Sequence, residues 1–303
     1  MKKFIQPPYL KKGDKIGIVA PARKVSPEEM ANAIKAFNEW GLEVVLGENL
    51  YGHDNQYSGT DEERAADLQQ MLDDKSVKAI ISARGGYGSV RIIDTLDFTR
   101  FKKNPKWLIG YSDITLFHAH LHNMGFETLH ATMPVNFKDN YNEQDSCEGL
   151  REAVFGKRLR YHINAHELNV KGNAEGVLVG GNLSIIYSLL GSVSDVDCKD
   201  KILFIEDIGE YLYHIDRMMI SLKRAGKLSK IKGLLVGGFT NMNDNTIPFG
   251  KTPEQIIYEH AKALGIPVCF NMPVGHTPVN MPLIIGRTVK IKVGNAESEI
   301  KFM

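Results

Sequence analysis

The first 134 residues alternate short apolar runs with amphipathic helical patterns, and this alternation restricts the possible folds more than any other feature. Four runs have the length of buried strands: Lys15–Ala20, Leu42–Leu46, Val77–Ser82 and Lys106–Tyr111. Strands that alternate with helices are typical of βαβ units, in which a crossover helix returns the chain so that successive strands lie parallel. The pattern therefore predicts a doubly wound α/β domain with a parallel sheet.

Helix start signals agree with this alternation. Ser26 and Pro27 supply an N-cap and a first-turn proline for a helix that runs to about Trp40. The segments 60–63 (TDEE) and 252–255 (TPEQ) have the capping-box spacing, in which the threonine and the Glu or Gln three residues later bond each other's backbone N–H. We predict that a helix begins at each of these positions.

The alternation breaks after Pro134. The polar segment Asn136–Glu148 is typical of a linker, so we place a domain boundary near residue 140, which gives domains 1–140 and 141–303. The second half has Gly-rich strands around 176–181, apolar runs at 202–205 and 231–239, and an alternating stretch at 283–302. A mixed, β-rich second domain is expected, and 303 residues are enough for two domains at roughly 100–200 residues each.

Charge and cysteine content limit the function classes. With 37 basic and 36 acidic side chains, the formal net charge is +1, which offers no general attraction to nucleic acid or anionic lipid. No apolar stretch approaches the roughly 18 residues of a membrane span, and the N-terminal residues lack a secretory apolar region. The three widely spaced cysteines favour a reducing compartment. We expect a cytoplasmic protein with no nucleic-acid or membrane partner.

Ligands bind at the carboxyl ends of strands in open parallel sheets, so the turns after the strands are the first candidates for a site. One such turn is 84–88 (RGGYG), where glycines allow positive φ and leave backbone N–H groups free to face a ligand or an oxyanion. The alternative is a tight strand–helix turn, because the segment matches neither GxGxxG nor the P-loop pattern.

A second turn, Gly110–Ile114 (GYSDI), half-matches the nucleophile elbow GxSxG, with Ile114 in place of the second glycine. A sharp turn here would project the Ser112 hydroxyl outward and place the amide of Asp113 to hold a developing oxyanion. The alternative for Ser112 is ordinary N-capping of the next helix.

The third candidate is the strand end at Glu206 and Asp207. Such carboxylates can orient a histidine, bind a metal or cap a helix, and adjacent strand residues point to opposite faces, so at most one of the two should share a site with Ser112. Among ten histidines, His276 lies in a Gly- and Pro-flanked loop that would present its imidazole, although a lone loop histidine is more often ordinary surface.

His118 and His122 have the i, i+4 spacing of a zinc site, but the residue after His118 is Ala119 rather than the glutamate of HExxH, so no metal is expected. The cysteines are interpreted as packed thiols. Ser112, Glu206 and His276 together supply a nucleophile, an orienting carboxylate and a base, the three roles of serine acyl transfer. Their spacing alone does not show that they meet.

These segments in order resemble the LD-carboxypeptidase family of serine peptidases, which includes cytoplasmic murein tetrapeptide LD-carboxypeptidases and microcin-immunity peptidases. Six ordered motifs are more specific than any one of them. The matching segments, nearly end to end, are 13–21 (GDKIGIVAP), 83–88 (ARGGYG), 110–113 (GYSD), 180–184 (GGNLS), 204–207 (FIED) and 275–276 (GH).

The resemblance implies that Ser112 is the nucleophile, Glu206 the triad carboxylate and His276 the base, with the amides of Asp113 and Gly86 as the oxyanion hole. It further implies a flavodoxin-like N-terminal domain carrying the nucleophile, a smaller β-rich C-terminal domain carrying the Glu–His pair, a homodimer, and neither metal nor cofactor.

The expected activity is hydrolysis of the amide between an L-centre, diaminopimelate or lysine, and the terminal D-alanine of a muropeptide, in peptidoglycan recycling. Arg84 is a candidate for the substrate's terminal carboxylate, although nothing in the sequence ties it to that role. Two alternatives stay open: a microcin-immunity-type peptidase that cleaves a peptidyl or aminoacyl nucleotide conjugate, and a non-catalytic binding protein on the same scaffold.

Overall fold

Residues 4–303, described by a computed structural model, divide into two units. The first unit ends at Lys157 and takes back the short segment Met281–Leu283. The second consists of Arg158–Asn280 and Ile284–Met303. Each of the two therefore contains residues that are distant in sequence.

The first unit is built on a six-stranded sheet, with elements numbered along the whole chain. Its strands are β1 (Lys15–Val19), β2 (Glu43–Leu46), β3 (Val77–Ser82), β4 (Trp107–Gly110), β5 (Thr128–His130) and β11 (Leu283–Ile285). Its helices are α1 (Pro27–Glu39), α2 (Asp61–Asp73), α3 (Ser89–Ile92), α4 (Thr99–Lys103), α5 (Thr115–Met124) and α6 (Asp145–Val154).

The strand order of this sheet is β11-β5-β4-β3-β1-β2, and β1 to β5 pair in parallel. The order 2-1-3-4-5 is that of flavodoxin-like doubly wound sheets, which confirms the predicted fold class. Central parallel strands are covered on both faces and so are largely apolar. Ile16, Ile18 and Ile80 are accordingly buried.

Local capping explains where the helices begin. Ser26 Oγ accepts a hydrogen bond from the Glu29 amide at 3.3 Å, and the Glu29 carboxylate accepts one from the Ser26 amide at 2.9 Å. Thr60 and Glu63 form the same reciprocal pair before α2. Each capping box satisfies N–H groups that the first helical turn leaves unpaired. The predicted helix starts are confirmed.

The segment that the sequence suggested as a linker is folded. Pro134–Asn136 and Tyr141–Glu143 form single 3₁₀ turns, and α6 follows. Tyr141 Oη donates to Glu39 Oε2 at 2.6 Å, and Leu10 N donates to Val154 O at 2.9 Å. The linker prediction is wrong because α6 buries few but well-spaced apolar residues on one face. The first unit consequently extends past residue 140.

The second unit has a seven-stranded mixed sheet of order β10-β9-β8-β7-β12-β13-β6. Its strands are β6 (Arg160–Asn164), β7 (Gly172–Asn182), β8 (Ile202–Ile208), β9 (Gly233–Thr240), β10 (Val268–Cys269), β12 (Thr288–Val293) and β13 (Glu297–Phe302). Its helices are α7 (Leu183–Ser188), α8 (Leu212–Arg224) and α9 (Pro253–Ala261).

Strands β7 to β10 are parallel, whereas β12 pairs antiparallel with β7 and β13, and β13 with β6. This is the mixed, β-rich second domain expected from sequence. Part of the alternating stretch 283–302 lies outside this sheet, because strand β11 joins the sheet of the first unit. Within residues 4–303, no helix has the length and apolarity needed to cross a membrane.

Candidate active site

Ser112 lies on a strained turn between a strand and a helix. Strand β4 ends at Gly110, which has φ of +154°, and Ser112 itself has φ of +64°. A left-handed backbone is unfavourable for a residue with a side chain and tends to occur where function requires it. Residues Ser112–Ile114 then form a 3₁₀ turn that leads into α5. The predicted elbow geometry is therefore present although Ile114 replaces the second glycine.

The glycine turn after β3 approaches this elbow closely. A Cβ atom built on Gly85 would lie 2.9 Å from Ser112 Cβ, 3.1 Å from Ser112 Oγ and 3.4 Å from the Asp113 amide nitrogen. The space beside the hydroxyl and that amide is thus open only because residue 85 is glycine. Gly86, the next residue, has φ of +112°, a conformation that favours glycine.

The carboxylate of Asp113 joins the elbow to the glycine turn. Its Oδ2 accepts a hydrogen bond from the backbone N–H of Ser89 at 2.9 Å, and the side chain is buried. Burial raises the pKa of Asp113 against the opposing effect of the Ser89 hydrogen bonds. On the far side of the turn, the buried Arg64 donates from Nη1 to Gly88 O at 3.1 Å. Two buried side chains therefore fix the turn 84–88 in place.

Glu206 and His276 form a direct pair in the second unit. Glu206 stands near the end of β8, is fully buried, and its Oε2 lies 2.7 Å from His276 Nδ1. The same oxygen accepts the backbone N–H of His276 at 3.2 Å. A Cβ atom on Gly275 would lie 2.5 Å from this oxygen, so the preceding glycine permits the approach. With Nδ1 bonded to the carboxylate, Nε2 is the second ring nitrogen, the one through which a triad histidine exchanges protons.

The pKa of His276 results from opposing effects. Burial would lower it, but the hydrogen bond and negative charge of Glu206, together with the charge of Asp207, outweigh burial and raise the pKa above its ordinary value. The loop around the ring is held by Thr240 Oγ1, which donates to His276 O at 2.8 Å, and by Gly275 N, which donates to Asn280 Oδ1 at 2.8 Å. The pair is therefore a positioned imidazole with an orienting carboxylate.

Asp207 has a different role from its neighbour. Its oxygens accept hydrogen bonds from Asn182 Nδ2 at 2.9 Å, Ser184 N at 2.9 Å and Ser184 Oγ at 2.7 Å, at the start of α7. Burial raises the pKa of Asp207 to about 6, with help from the nearby charge of Glu206. The two carboxylates serve separate groups, as their alternation along the strand predicted.

The remaining candidates from sequence are structural groups. His118 is buried, with Nε2 at 2.9 Å from Gly110 O and Nδ1 at 2.8 Å from Thr128 Oγ1, and burial lowers its pKa to about 4. Over the part of the chain that the structure describes, no group of three His, Cys, Asp or Glu side chains could hold a metal ion. All three cysteines are buried free thiols, and burial raises their pKa values to about 11 or 12.

The first unit thus brings Ser112, Asp113 and the glycine turn together, and the second brings Glu206 and His276 together. Sequence reasoning missed Gly85 as the residue that borders Ser112, and missed Thr240 and Asn280, which hold the histidine loop. The doubled glycine was a signal for the first of these. Nothing in the sequence marked the other two, because each acts through one hydrogen bond to the loop.

A serine on a strand–helix elbow, beside a glycine turn on a doubly wound sheet, and a buried Glu–His pair are the groups of serine-type hydrolases. Residues 16–131 match the family profile LD-carboxypeptidase N-terminal domain, and residues 175–291 match the profile LD-carboxypeptidase C-terminal domain. The chain belongs to the LD-carboxypeptidase family of serine peptidases.

Individual proteins give the same family. The chain is 36% identical over 309 residues to a probable murein peptide carboxypeptidase of Bacillus subtilis, covering 98% of this chain and 97% of that protein. The crystal structure of muramoyltetrapeptide carboxypeptidase from Oxalobacter formigenes has a TM-score of 0.84 at 26% identity, covering 95% and 98% of the two chains. The microcin C7 self-immunity protein MccF, in complex with aspartyl sulfamoyl adenosine, has a TM-score of 0.85 at 21% identity, covering 98% of each chain, and this similarity shows a shared fold.

Proposed function

We propose that this protein is a serine LD-carboxypeptidase that removes the terminal D-alanine from murein tetrapeptides by cleaving its amide bond to an L-centre, diaminopimelate or lysine. The observation that carries the proposal is the elbow of Ser112, whose side chain borders a space kept open by Gly85. The relatives named as murein peptide and muramoyltetrapeptide carboxypeptidases support the choice of substrate.

In the proposed reaction, His276 takes the Ser112 proton and Ser112 Oγ attacks the scissile carbonyl carbon. The amides of Asp113 and Gly86 donate to the oxyanion that forms, and Glu206 keeps the imidazole in the correct tautomer. His276 then protonates the leaving amine of D-alanine. Water, deprotonated by His276, finally hydrolyses the acyl-enzyme and restores the serine hydroxyl.

The raised pKa of His276 supports its role as the base. An imidazole whose charged form is stabilised by a buried carboxylate is a stronger proton acceptor. The buried Asp113–Ser89 hydrogen bond supports the oxyanion assignment, because it fixes the turn on which the Asp113 amide lies. No step of this reaction calls on a cofactor or a metal ion.

The direct test is D-alanine release from UDP-MurNAc-tetrapeptide. We expect the wild type to release D-alanine, Ser112→Ala to release none above background, and Ser229→Ala, which changes an exposed serine in the second unit, to match the wild type. Chelator should leave the rate unchanged. Release that survives Ser112→Ala would overturn the serine mechanism, and loss on chelation would indicate a metal enzyme.

A second candidate is a peptidase of the microcin-immunity type, acting on an aminoacyl nucleotide conjugate. Such a substrate should favour an aromatic ring near Ser112 on which its base can stack. Trp107 is buried and bonds Pro8 O, whereas Tyr87 in the glycine turn is 47% exposed and could serve as the ring. Cleavage of aspartyl sulfamoyl adenosine without D-alanine release from the tetrapeptide would favour this candidate. Failure to cleave either substrate would favour the non-catalytic binding protein.

The cellular setting and assembly belong to the same proposal. We place the enzyme in the cytoplasm, in peptidoglycan recycling, as a homodimer, on the strength of the family resemblance. Light scattering should then give a mass of twice 33.9 kDa for the purified protein. A mass of 33.9 kDa across the working concentration range would overturn the dimer.

A further inference from the structure

The first unit carries a cationic cavity beside the glycine turn. The cavity has a volume of about 490 Å³, and its walls include Arg23, Lys24, His53 and Arg84, with Glu29 as the acidic member. Arg84 is followed directly by Gly85, which borders Ser112, and then by Gly86. A pocket of this charge next to a carboxypeptidase nucleophile is suited to an anionic group of the substrate.

The basic side chains of this cavity differ in whether they already have partners. Arg84 Nη1 lies 3.1 Å from Glu29 Oε1, and Lys24 Nζ lies 2.7 Å from His53 Nε2. Arg23 forms no ion pair with any residue between 4 and 303. Its guanidinium therefore has all five N–H donors available to an incoming ligand.

Arg23 also has the right position relative to the reacting groups. A Cβ atom built on Gly86 would lie 2.5 Å from Arg23 Cγ and 2.2 Å from Cδ, so the aliphatic part of Arg23 crosses directly over Gly86. The preceding residue, Gly85, borders Ser112 Oγ. One glycine therefore meets the nucleophile and the next meets the arginine.

The loop that carries Arg23 is fixed to the same turn. Arg64 Nη1 donates to Pro21 O at 2.5 Å and to Gly88 O at 3.1 Å, which joins the chain before Arg23 to the end of the glycine turn. Lys24 N donates to Gln56 O at 3.0 Å on the other side of Arg23. The base of the Arg23 side chain is consequently held in register with Gly85 and Gly86.

We propose that Arg23 binds the terminal carboxylate of the peptide substrate and thereby restricts cleavage to the last residue. In a peptide, that carboxylate carbon is three bonds from the scissile carbonyl carbon and lies within about 4 Å of it. The cation that binds it must therefore adjoin the oxyanion hole, where Arg23 lies. A guanidinium can bind a carboxylate with two parallel hydrogen bonds. This inference rests on the proposed function and replaces Arg84, which is bound to Glu29, as the candidate.

The test compares two substrates that differ only at the proposed contact: the tetrapeptide L-Ala-γ-D-Glu-meso-diaminopimelate-D-Ala and its C-terminal D-alaninamide. Both yield the same tripeptide, which chromatography measures. We expect Arg23→Ala to lower kcat/KM for the free acid by about 10- to 100-fold, the size of a lost hydrogen bond to a charged group. For the amide, kcat/KM should stay within about twofold of the wild-type value. Arg23→Lys should retain part of the preference for the free acid, because lysine keeps the positive charge but lacks the paired N–H donors of the guanidinium.

Two variants serve as controls. Arg100→Ala removes one positive charge from an exposed position of the same unit and should change kcat/KM for neither substrate. Lys24→Ala removes a charge from the same cavity. If it lowers kcat/KM for the free acid as much as Arg23→Ala does, the effect comes from the total positive charge of the cavity, and the Arg23 contact is overturned. An Arg23→Ala enzyme that keeps the wild-type preference for the free acid would also overturn it. A wild type that makes no tripeptide from either substrate would instead overturn the proposed function.

Discussion

At the scale of single residues, the proposed reaction depends on the pKa of His276, which must be neutral to accept the serine proton. Because Glu206 raises this pKa above its ordinary value, kcat/KM should fall as the pH decreases through a value above 6.5. In Glu206→Gln, burial is left as the dominant effect, so the acid limb should move to lower pH. The rate at pH 8 should fall by about 10⁴-fold, as when a triad carboxylate becomes an amide.

The control for this prediction is Glu175→Gln, which makes the same change at an exposed position of β7 that pairs with Lys290. It should leave both the rate and the acid limb unchanged. A pH profile of kcat/KM from pH 5 to 9 gives both quantities. If the limb of Glu206→Gln stays at the wild-type pH, Glu206 does not set the pKa of the base.

At the scale of elements, glycines in different turns should respond differently to an added methyl group, because it meets a close neighbour at Gly85 and only strains the backbone at Gly13. In Gly85→Ala the new methyl group would occupy the space beside Ser112 Oγ and the Asp113 amide, and φ there is not left-handed. We expect kcat/KM to fall by about 100-fold or more, the size of a lost oxyanion contact, together with a loss of stability, because a Cβ atom 2.9 Å from Ser112 Cβ forces the elbow to shift. Steady-state kinetics and urea unfolding measure the two effects.

Gly13→Ala is the control, because it adds a methyl group at a glycine far from the proposed oxyanion site. Residue 13 has φ of +87° with no atom within 4 Å of the added Cβ, so the substitution adds strain without a clash. It should cost about 1 kcal/mol of stability and leave kcat/KM unchanged. Both tryptophans lie in the first unit, so their fluorescence follows its unfolding. Equal activity of Gly85→Ala and wild type would contradict the placement of the oxyanion beside Gly85.

Helix α5 is joined to the end of β4 by His118, and this contact should make the stability of the first unit depend on pH. The folded pKa is about 4 and the unfolded pKa about 6.5, so the unfolded state binds more protons between these values. The wild type should lose about 3 kcal/mol as the pH falls from 6.5 to 4. His118→Phe leaves the Gly110 carbonyl without its donor and should cost about 1–3 kcal/mol at pH 7.

Because the variant has no imidazole to protonate, its stability deficit should shrink as the pH falls to 4.5. Urea unfolding followed by tryptophan fluorescence at pH 7 and 4.5 measures the deficit at each pH. His162→Gln, which changes an exposed histidine of β6, should show no such dependence. A deficit that is the same at both pH values would show that His118 is not the group responsible.

The sequence predicted the elements whose signals are local and did not predict contacts between distant residues. Capping boxes and apolar runs are local, so α1, the starts of α2 and α9, and strands β1 to β4 were predicted to within a residue or two. Contacts between distant residues were not predictable: Glu206 is 70 residues from His276, and Arg23 meets Gly86 only because β1 and β3 are neighbours. Helix α6 was missed because its polar face dominates the composition of the segment. The chemistry of the residue types suggested the group Ser112, Glu206 and His276, and the family resemblance implied it, whereas their spacing alone could not.

At the scale of the whole molecule, the chain leaves the first unit at Lys157 and supplies it again with Met281–Leu283. Of the returning residues, Pro282 and Leu283 are buried in the core of this unit. Leu283 is fully buried, and a Cβ atom on Gly149 would lie 2.9 Å from Pro282 Cδ. Strand β11, which begins at Leu283, covers the edge of β5. The first unit therefore depends on residues that follow almost all of the second in sequence.

A fragment that ends at Lys157 should consequently be less stable than the first unit of the full chain, with β5 as an open edge that pairs with other copies. Joining residues 281–285 to Lys157 through a flexible Gly/Ser linker should restore much of the unfolding midpoint and suppress the oligomers. Tryptophan fluorescence in urea and size-exclusion chromatography compare the two fragments. A fragment in which Leu283 is changed to Asp, otherwise identical to the linked one, should behave like the short fragment. If the short and linked fragments unfold at the same urea concentration, then β11 adds nothing to the stability of this sheet.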